Sequence, residues 1–275
     1  MLSEILRLNH LGRGHYAEPY AGGCGLALSL LYGGQASDIH VNDLDRSIWA
    51  FWYCVLNETE ELVKLVEQTP ITIEEWFRQR EIQRSPRGAD VLELGFSTFF
   101  LNRTNRSGVI KGAGVIGGLL QKGNYKIDCR FNRNELARRI RRVAKYKSRI
   151  HLTNLDAIPF IRESDRKLPD DTFYCIDPPY FMKGSSLYTN SYDTGEHAKV
   201  AKAILKVRHK WIVTYDYAEE IRALYSERRQ FIFDISYSIQ TKRVGTELLI
   251  ASKGLRLPPQ VKERPAGQGE LLAAS

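Results

Sequence analysis

His15-Tyr16-Ala17-Glu18-Pro19-Tyr20, Ala21-Gly22-Gly23-Cys24-Gly25 and Leu26 to Tyr32 follow one another without a break. The first reads as a short strand, the second as a Gly-rich turn and the third as an apolar helix. Ile39-His40-Val41-Asn42-Asp43 reads as a second strand that ends in an acid. Strand, helix and strand make a βαβ unit, the opening of a doubly wound α/β sheet. Sheet signals resume late in the chain, at Arg149–Thr153, Thr172–Ile176, Lys210–Tyr215, Gln230–Ile235 and Glu247–Ser252. His197 to Val207 reads as a helix between two of them.

The residues between differ in texture. Arg46 to about Glu81 and Val91 to Phe100 are helical by pattern, with Trp49, Phe51, Trp52 and Trp76 read as core. Asn102 to Asn134 turns to Gly, Asn, Lys and Arg, which predicts a loop-rich element with a hairpin. Glu135 to Tyr146 returns to helix, with Leu136, Ile140 and Val143 on one face. The expected organisation is a catalytic α/β domain of residues 1–56 and 148–257, interrupted by a largely helical insertion of residues 57–147. Residues 258–275, with Pro259, Pro265 and Gly267, read as a disordered tail.

Composition narrows the class. A chain of 275 residues with 43% hydrophobic and 26% charged residues holds a sizeable core. No stretch approaches the length of a membrane span and no signal peptide opens the sequence. Cys24, Cys54, Cys129 and Cys175 form no CxxC pair and no zinc set. They read as buried free thiols in a reducing, cytoplasmic setting, and no metal is expected. The net charge of +8 is unevenly placed: residues 101–150 carry an excess of 12 positive charges. A basic patch on a mildly acidic body suggests a polyanion partner.

Two segments carry chemistry. Glu18-Pro19-Tyr20-Ala21-Gly22-Gly23-Cys24-Gly25 stands at the carboxyl end of the first strand, where α/β sheets bind nucleoside-like ligands. Its glycines let backbone approach a ligand. Asp43, ending the next strand, suits both hydroxyls of a ribose, and the glycine spacing is not that of a dinucleotide or triphosphate site. Asp156, after the third strand, could meet an adenine amine, although on its own a helix cap or turn explains it better. Asp177-Pro178-Pro179-Tyr180 leaves the apolar stretch Thr172 to Ile176. A carboxylate, a carbonyl held by two rigid residues, and an aromatic ring suit a flat base bearing an exocyclic amine.

In this order the motifs resemble the Dam-like DNA adenine N6-methyltransferases, which use S-adenosylmethionine. Pro19 to Cys24 is similar to the family's Pro-Phe/Tyr-Ala-Gly-Gly-Gly turn, and Asp177 to Tyr180 is its Asp-Pro-Pro-Tyr. Leu101-Asn102-Arg103 resembles the start of the family's DNA-reading hairpin, Gly108 and Lys111 its middle, and Gly123-Asn124-Tyr125-Lys126 its end. Thr246 to Ile250 resembles its closing strand. Arg106 and Ser107 stand where the family often has an aromatic-Asn pair, and Met1 to Leu11 holds no counterpart of its Gly-Gly-Lys segment.

The resemblance implies a Rossmann-like methyltransferase sheet with an inserted DNA-recognition subdomain, methylating a flipped-out adenine in duplex DNA at specific sites. It implies that Asp177, Pro178, Pro179 and Tyr180 are catalytic. Glu18, Pro19, Tyr20, Ala21, Gly22, Gly23, Gly25, Asp43, Asp156 and Asp177 would hold the cofactor. Asn102, Arg103, Arg106, Lys111, Lys122, Tyr125, Lys126 and Arg130 would meet DNA. A restriction endonuclease or accessory protein is a candidate partner. The rival expectations are a non-catalytic or partner-dependent DNA-binding protein, and an N4-cytosine or RNA adenine methyltransferase.

Overall fold

The computed structural model describes residues 1–182, 192–237, 243–259 and 261. Most of the expected tail lies outside the described residues. The strands are β1 (Gly14–Glu18), β2 (Ala36–Asn42), β3 (Ile150–Thr153), β4 (Phe173–Ile176), β5 (Lys210–Asp216), β6 (Arg229–Tyr237) and β7 (Arg243–Ala251). They form one mostly parallel sheet in the order β3-β2-β1-β4-β5-β7-β6. β4 pairs in parallel with both β1 and β5, and β7 lies antiparallel between β5 and β6. The chain winds outward from β1 and then returns to β4 on its other side. That reversal is the switch point at which Rossmann-like sheets open a crevice at their carboxyl ends. The expected α/β class is the one observed.

The chain packs as two compact units. One comprises Met1–Tyr20, Ser29–Ile39 and Ala157–Ser275, the other Ala21–Leu28 and His40–Asp156. In the first, β4 is central, and Phe173, Tyr174 and Ile176 are fully buried. A near-continuous apolar strand is what burial on both sheet faces demands. The helices here are α1 (Leu2–Leu8), α8 (Ala157–Lys167), α9 (Thr194–Ile204) and α10 (Glu219–Leu224). α9 starts three residues before the expected helix because Asp193 and Glu196 close a reciprocal capping box. Ile161, Val200 and Ile204 pack with Trp211 and Val213 in one core.

The second unit is mainly helical: α3 (Arg46–Asn57), α4 (Thr59–Gln68), α5 (Ile73–Ile82), α6 (Val91–Thr104) and α7 (Arg133–Ala144). Gly25–Tyr32 forms α2, whose residues are divided between the two units. Gly95 lets α6 lie directly on α3: a Cβ there would sit 2.8 Å from both the Ala50 carbonyl and the Cys54 sulfur. Gln83 donates to the hydroxyls of Ser97 and Thr98 and accepts from that of Ser47, so these four buried side chains partner one another. Trp52 and Trp76 are buried, as expected, whereas Trp49 and Phe51 are half-buried.

Three sequence expectations are corrected. α6 runs four residues beyond Phe100, so Leu101-Asn102-Arg103 forms its last turn rather than opening a hairpin. The hairpin itself reduces to a single antiparallel bridge between Asn105 and Val115. The extension has a cause: the Arg130 guanidinium donates to the carbonyls of Asn102, Arg103 and Asn105, which a helix end leaves unpaired. Three residues on, Arg133 does the same for α4, donating to the carbonyls of Val66, Glu67 and Thr69. Cys129 is exposed and Cys175 half-buried, so only Cys24 and Cys54 are the buried thiols expected. No helix among the described residues is long and apolar enough to cross a membrane.

Candidate active site and nucleic-acid interface

In the first unit, β1 and β4 are parallel neighbours, with Ala17 level with Tyr174. Glu18-Pro19-Tyr20 and Asp177-Pro178-Pro179-Tyr180 therefore leave the sheet side by side at its carboxyl end. Glu18 is buried and accepts the Tyr16 hydroxyl at 2.7 Å. The Tyr20 hydroxyl lies 3.2 Å from that of Tyr192, and burial holds its phenol protonated well above the ordinary range.

Asp177 keeps contact with solvent, yet protein crowds it. That desolvation raises its pKa, the Glu247 carboxylate adds to the rise, and the Thr214 hydroxyl opposes it. Thr214 Oγ1 donates to Asp177 Oδ1 at 2.7 Å, while Oδ2 has no protein partner among the described residues. Pro178 and Pro179 are buried. The Tyr180 hydroxyl donates to Glu247 Oε1 at 3.1 Å. The next two amides, Phe181 N–H and Met182 N–H, donate to the two oxygens of Asp216 at 2.7 and 2.8 Å. Asp216 is buried at the end of β5. Sequence reading missed Thr214, Asp216 and Glu247. For Thr214 and Asp216 the signal available was a polar residue near the carboxyl end of an otherwise apolar strand, whereas Glu247 lies within β7.

In the second unit, the Gly-rich turn is held from three directions. The Ala21 amide donates to the Asn42 carbonyl at 2.8 Å, and the Cys24 amide to the Ala21 carbonyl at 2.7 Å. Gly22 donates its N–H to Asp43 Oδ2 at 2.9 Å and accepts Trp52 Nε1 at 2.8 Å. Gly22 has φ +46° and Cys24 φ +48°. A Cβ on Gly22, Gly23 or Gly25 would meet nothing within 4 Å. Protein packing therefore does not require these glycines, and the space they leave fits backbone approach by a ligand.

Asp43 is less idle than a ribose acceptor need be. Oδ2 takes the Gly22 amide and Oδ1 the Asp45 amide, each at 2.9 Å. Burial pushes its pKa up to about 6, against the pull of those two amides. Each carboxylate oxygen keeps a second lone pair for a ligand hydroxyl. Asn42, fully buried, clamps the turn after β3: its amide accepts from Thr153 Oγ1 and Leu155 N–H and donates to the Leu155 carbonyl. Asn154 donates to the carbonyls of Asp43 and Leu44. Asp156 follows this clamped turn and is exposed.

The basic segment divides into anchors and exposed groups. Arg130 is turned onto the end of α6 and is half-buried, with Nε and Nη2 spent on backbone carbonyls. Arg103 donates to Asn102 Oδ1, and Asn102 donates to the Gly108 carbonyl, so these two shape the turn. Lys111 lies 3.4 Å from Asp45 Oδ2. Arg106, Lys122, Tyr125 and Lys126 are exposed, as are Leu119 and Leu120. On α7, Arg138 and Arg139 pair with Glu135, and Arg141 with Glu60 and Glu67, which removes part of the basic surface.

Gln121 staples the exposed loop. Its Nε2 donates to the carbonyls of Ile116 and Gly118, and its Oε1 accepts the Ile127 amide. Asn105, fully buried, ties the other end, accepting Trp76 Nε1 at 2.6 Å and donating to the carbonyls of Val109 and Ile110.

Among solved structures, the chain is similar to a conserved hypothetical protein of Streptococcus pyogenes, at 10% identity over 89% of each chain with a TM-score of 0.32. It is also similar to a SAM-dependent methyltransferase of Agrobacterium tumefaciens, at 10% identity over 92% of this chain and 62% of that one, with a TM-score of 0.38. No curated protein matches. The family model of the D12 class N6 adenine-specific DNA methyltransferases matches residues 1–243. The chain belongs to the D12 class N6 adenine-specific DNA methyltransferases, and S-adenosylmethionine is its cofactor.

Proposed function

We propose that this methyltransferase acts at specific sites in duplex DNA, on the N6 amine of an adenine turned out of the helix. The observation that carries the reading is Asp177: a solvent-reached carboxylate with one oxygen bonded to Thr214 and the other open, set ahead of two buried prolines.

The chemical problem is the adenine amine, whose lone pair is delocalised into the ring. Asp177 Oδ2 accepts one amine hydrogen and the Pro178 carbonyl the other. That pair of bonds localises the lone pair and fixes its direction. Tyr180, tethered through Glu247, gives the base a ring to stack on. The raised pKa of Asp177 suits it to take the proton that the methylated amine must lose. The bound cofactor supplies a methyl group on a sulfonium, already a strong electrophile. Gly22, Gly23 and Gly25 leave the room such a group would need, and Asp43 and Asp156 would accept hydrogen bonds from its ribose hydroxyls and adenine amine.

Turning the adenine out costs about a few kcal/mol, which contacts to the duplex must offset. Arg106, Lys111, Lys122 and Lys126 contact phosphates. Leu119, Leu120 and Tyr125 give the stapled loop an apolar tip against the groove. Asn102 and Arg103 hold the turn that presents Arg106, and Arg130 caps the end of α6.

The test is transfer of labelled methyl from S-adenosylmethionine to unmethylated duplex DNA, followed by nucleoside analysis. Label in N6-methyladenine, absent in Asp177→Ala with DNA binding retained, is expected. Label in N4-methylcytosine, or in RNA alone, overturns the substrate. Salt-sensitive DNA binding with no label from any substrate overturns catalysis.

A further inference from the structure

We propose that Thr214 is a positioning residue for methyl transfer: its hydroxyl occupies Asp177 Oδ1, fixes the plane of the carboxylate and leaves Oδ2 to the substrate amine. The inference rests on the reading of Asp177 given above.

The register builds the arrangement. β5 runs parallel to β4, with Val213 level with Ile176, so Thr214 comes level with Asp177 one residue later. Thr214 is half-buried, and its Oγ1 stands 2.7 Å from Oδ1. Residues two apart on a strand share a face, so Asp216 projects on the same side as Thr214. Asp216 takes the amides of Phe181 and Met182. One strand thus grips the Asp-Pro-Pro-Tyr segment at both ends, by side chain at the front and by backbone at the back. Between them, Glu247 receives the Tyr180 hydroxyl, and Glu247 sits level with Asp216 across the β5–β7 pairing.

An aspartate at the mouth of a site turns freely about its last bond unless one oxygen is held. A threonine hydroxyl is suited to the task, because it donates to the anion and adds no charge that would compete with the amine. Among the described residues, the titratable groups that interact electrostatically with Asp177 are Glu247 from β7, Tyr215 from β5 and Cys175 from its own strand. Glu247 and burial favour the protonated form, and the Thr214 bond favours the ionised one.

The test compares Thr214→Val, which keeps the shape and removes the donor, with Thr214→Ser, which keeps the donor. Steady-state kcat and KM on a duplex substrate are measured from pH 5 to 9, with melting temperatures as a folding control. For Thr214→Val, kcat is expected to fall about tenfold with KM for DNA nearly unchanged. The acidic limb of its kcat profile is expected to move to higher pH. Thr214→Ser should restore both. A Thr214→Val enzyme with the wild-type kcat and profile overturns the proposal, as does a Thr214→Ser enzyme that matches Thr214→Val. Asp177→Asn separates the two levels: if it stays active, the reading of Asp177 itself fails. If it is inactive while Thr214→Val is normal, only the role of Thr214 fails.

Discussion

Trp52 Nε1 donates to the carbonyl of Gly22 at 2.8 Å. A tryptophan in the core of a helical unit thereby holds one side of the glycine turn, while Asp43 holds the other through the amide of the same residue. Trp52→Phe keeps the packing and removes the donor. The loss of one hydrogen bond, about 1 kcal/mol, should weaken S-adenosylmethionine binding roughly fivefold by calorimetry. Unchanged affinity would show that the turn holds its shape without the indole.

Asp43 predicts how cofactor affinity follows pH. Its pKa is raised to about 6 by burial, and ribose hydroxyls donate to the ionised form. Affinity should be level above pH 7 and fall as pH drops through about 6. Asp43→Asn should bind more weakly and lose this dependence. The effect on folding has the opposite sense. A carboxyl whose pKa is raised on folding contributes stability below its unfolded pKa, and that contribution is lost as pH rises through about 6. Calorimetric titration from pH 5 to 8 checks the first, and a wild-type dissociation constant level across that range would refute it.

Arg130 and the exposed lysines should separate cleanly. Arg130→Met uncovers the last carbonyls of α6 and should lower stability by about 1–3 kcal/mol, with the salt dependence of DNA binding unchanged. Lys122→Gln with Lys126→Gln should leave the melting temperature unchanged. It should reduce the slope of log K against log salt by roughly 0.9 for each phosphate no longer neutralised. Filter binding at several salt concentrations, beside thermal melts, distinguishes the two classes.

Asp216→Ala should destabilise the segment after Tyr180 more than a surface change would. It leaves the amides of Phe181 and Met182 without their acceptor beside a buried site, a loss of about 2–4 kcal/mol. Hydrogen exchange of those two amides should accelerate in the variant. Protection equal to wild type would show that other acceptors replace the carboxylate.

Leu120→Glu places a negative charge at the tip of the stapled loop. It should weaken duplex binding at least tenfold at physiological salt, since an anion then faces phosphates. Gel-shift titration reads the change, and unaltered binding would remove the loop tip from the interface.

The βαβ opening was legible because His15 to Asp43 carries strand, glycine turn, helix and strand in the order a parallel sheet requires. Asp177 to Tyr180 stood out through its place after an apolar strand and its order among the other motifs, since taken alone a Pro-Pro turn capped by Asp explains the run as well. The basic segment was read less well. Charge counting treats all arginines alike, whereas Arg130 and Arg133 cap helices and Arg141 pairs with Glu60 and Glu67. Which arginine turns inward depends on tertiary placement that no local pattern encodes. Thr214 and Asp216 were missed for a related reason: their importance comes from the register of β5 against β4.

The Gln121 staple carries a kinetic implication. If this loop meets a duplex as proposed, its closure by Gln121 onto Ile116, Gly118 and Ile127 leaves it little folding to do at that moment. Little ordering entropy is then lost on binding, and encounter is limited by diffusion and charge. Loosening the staple with Gln121→Ala would slow association and leave the departure rate of the formed complex nearly as it was.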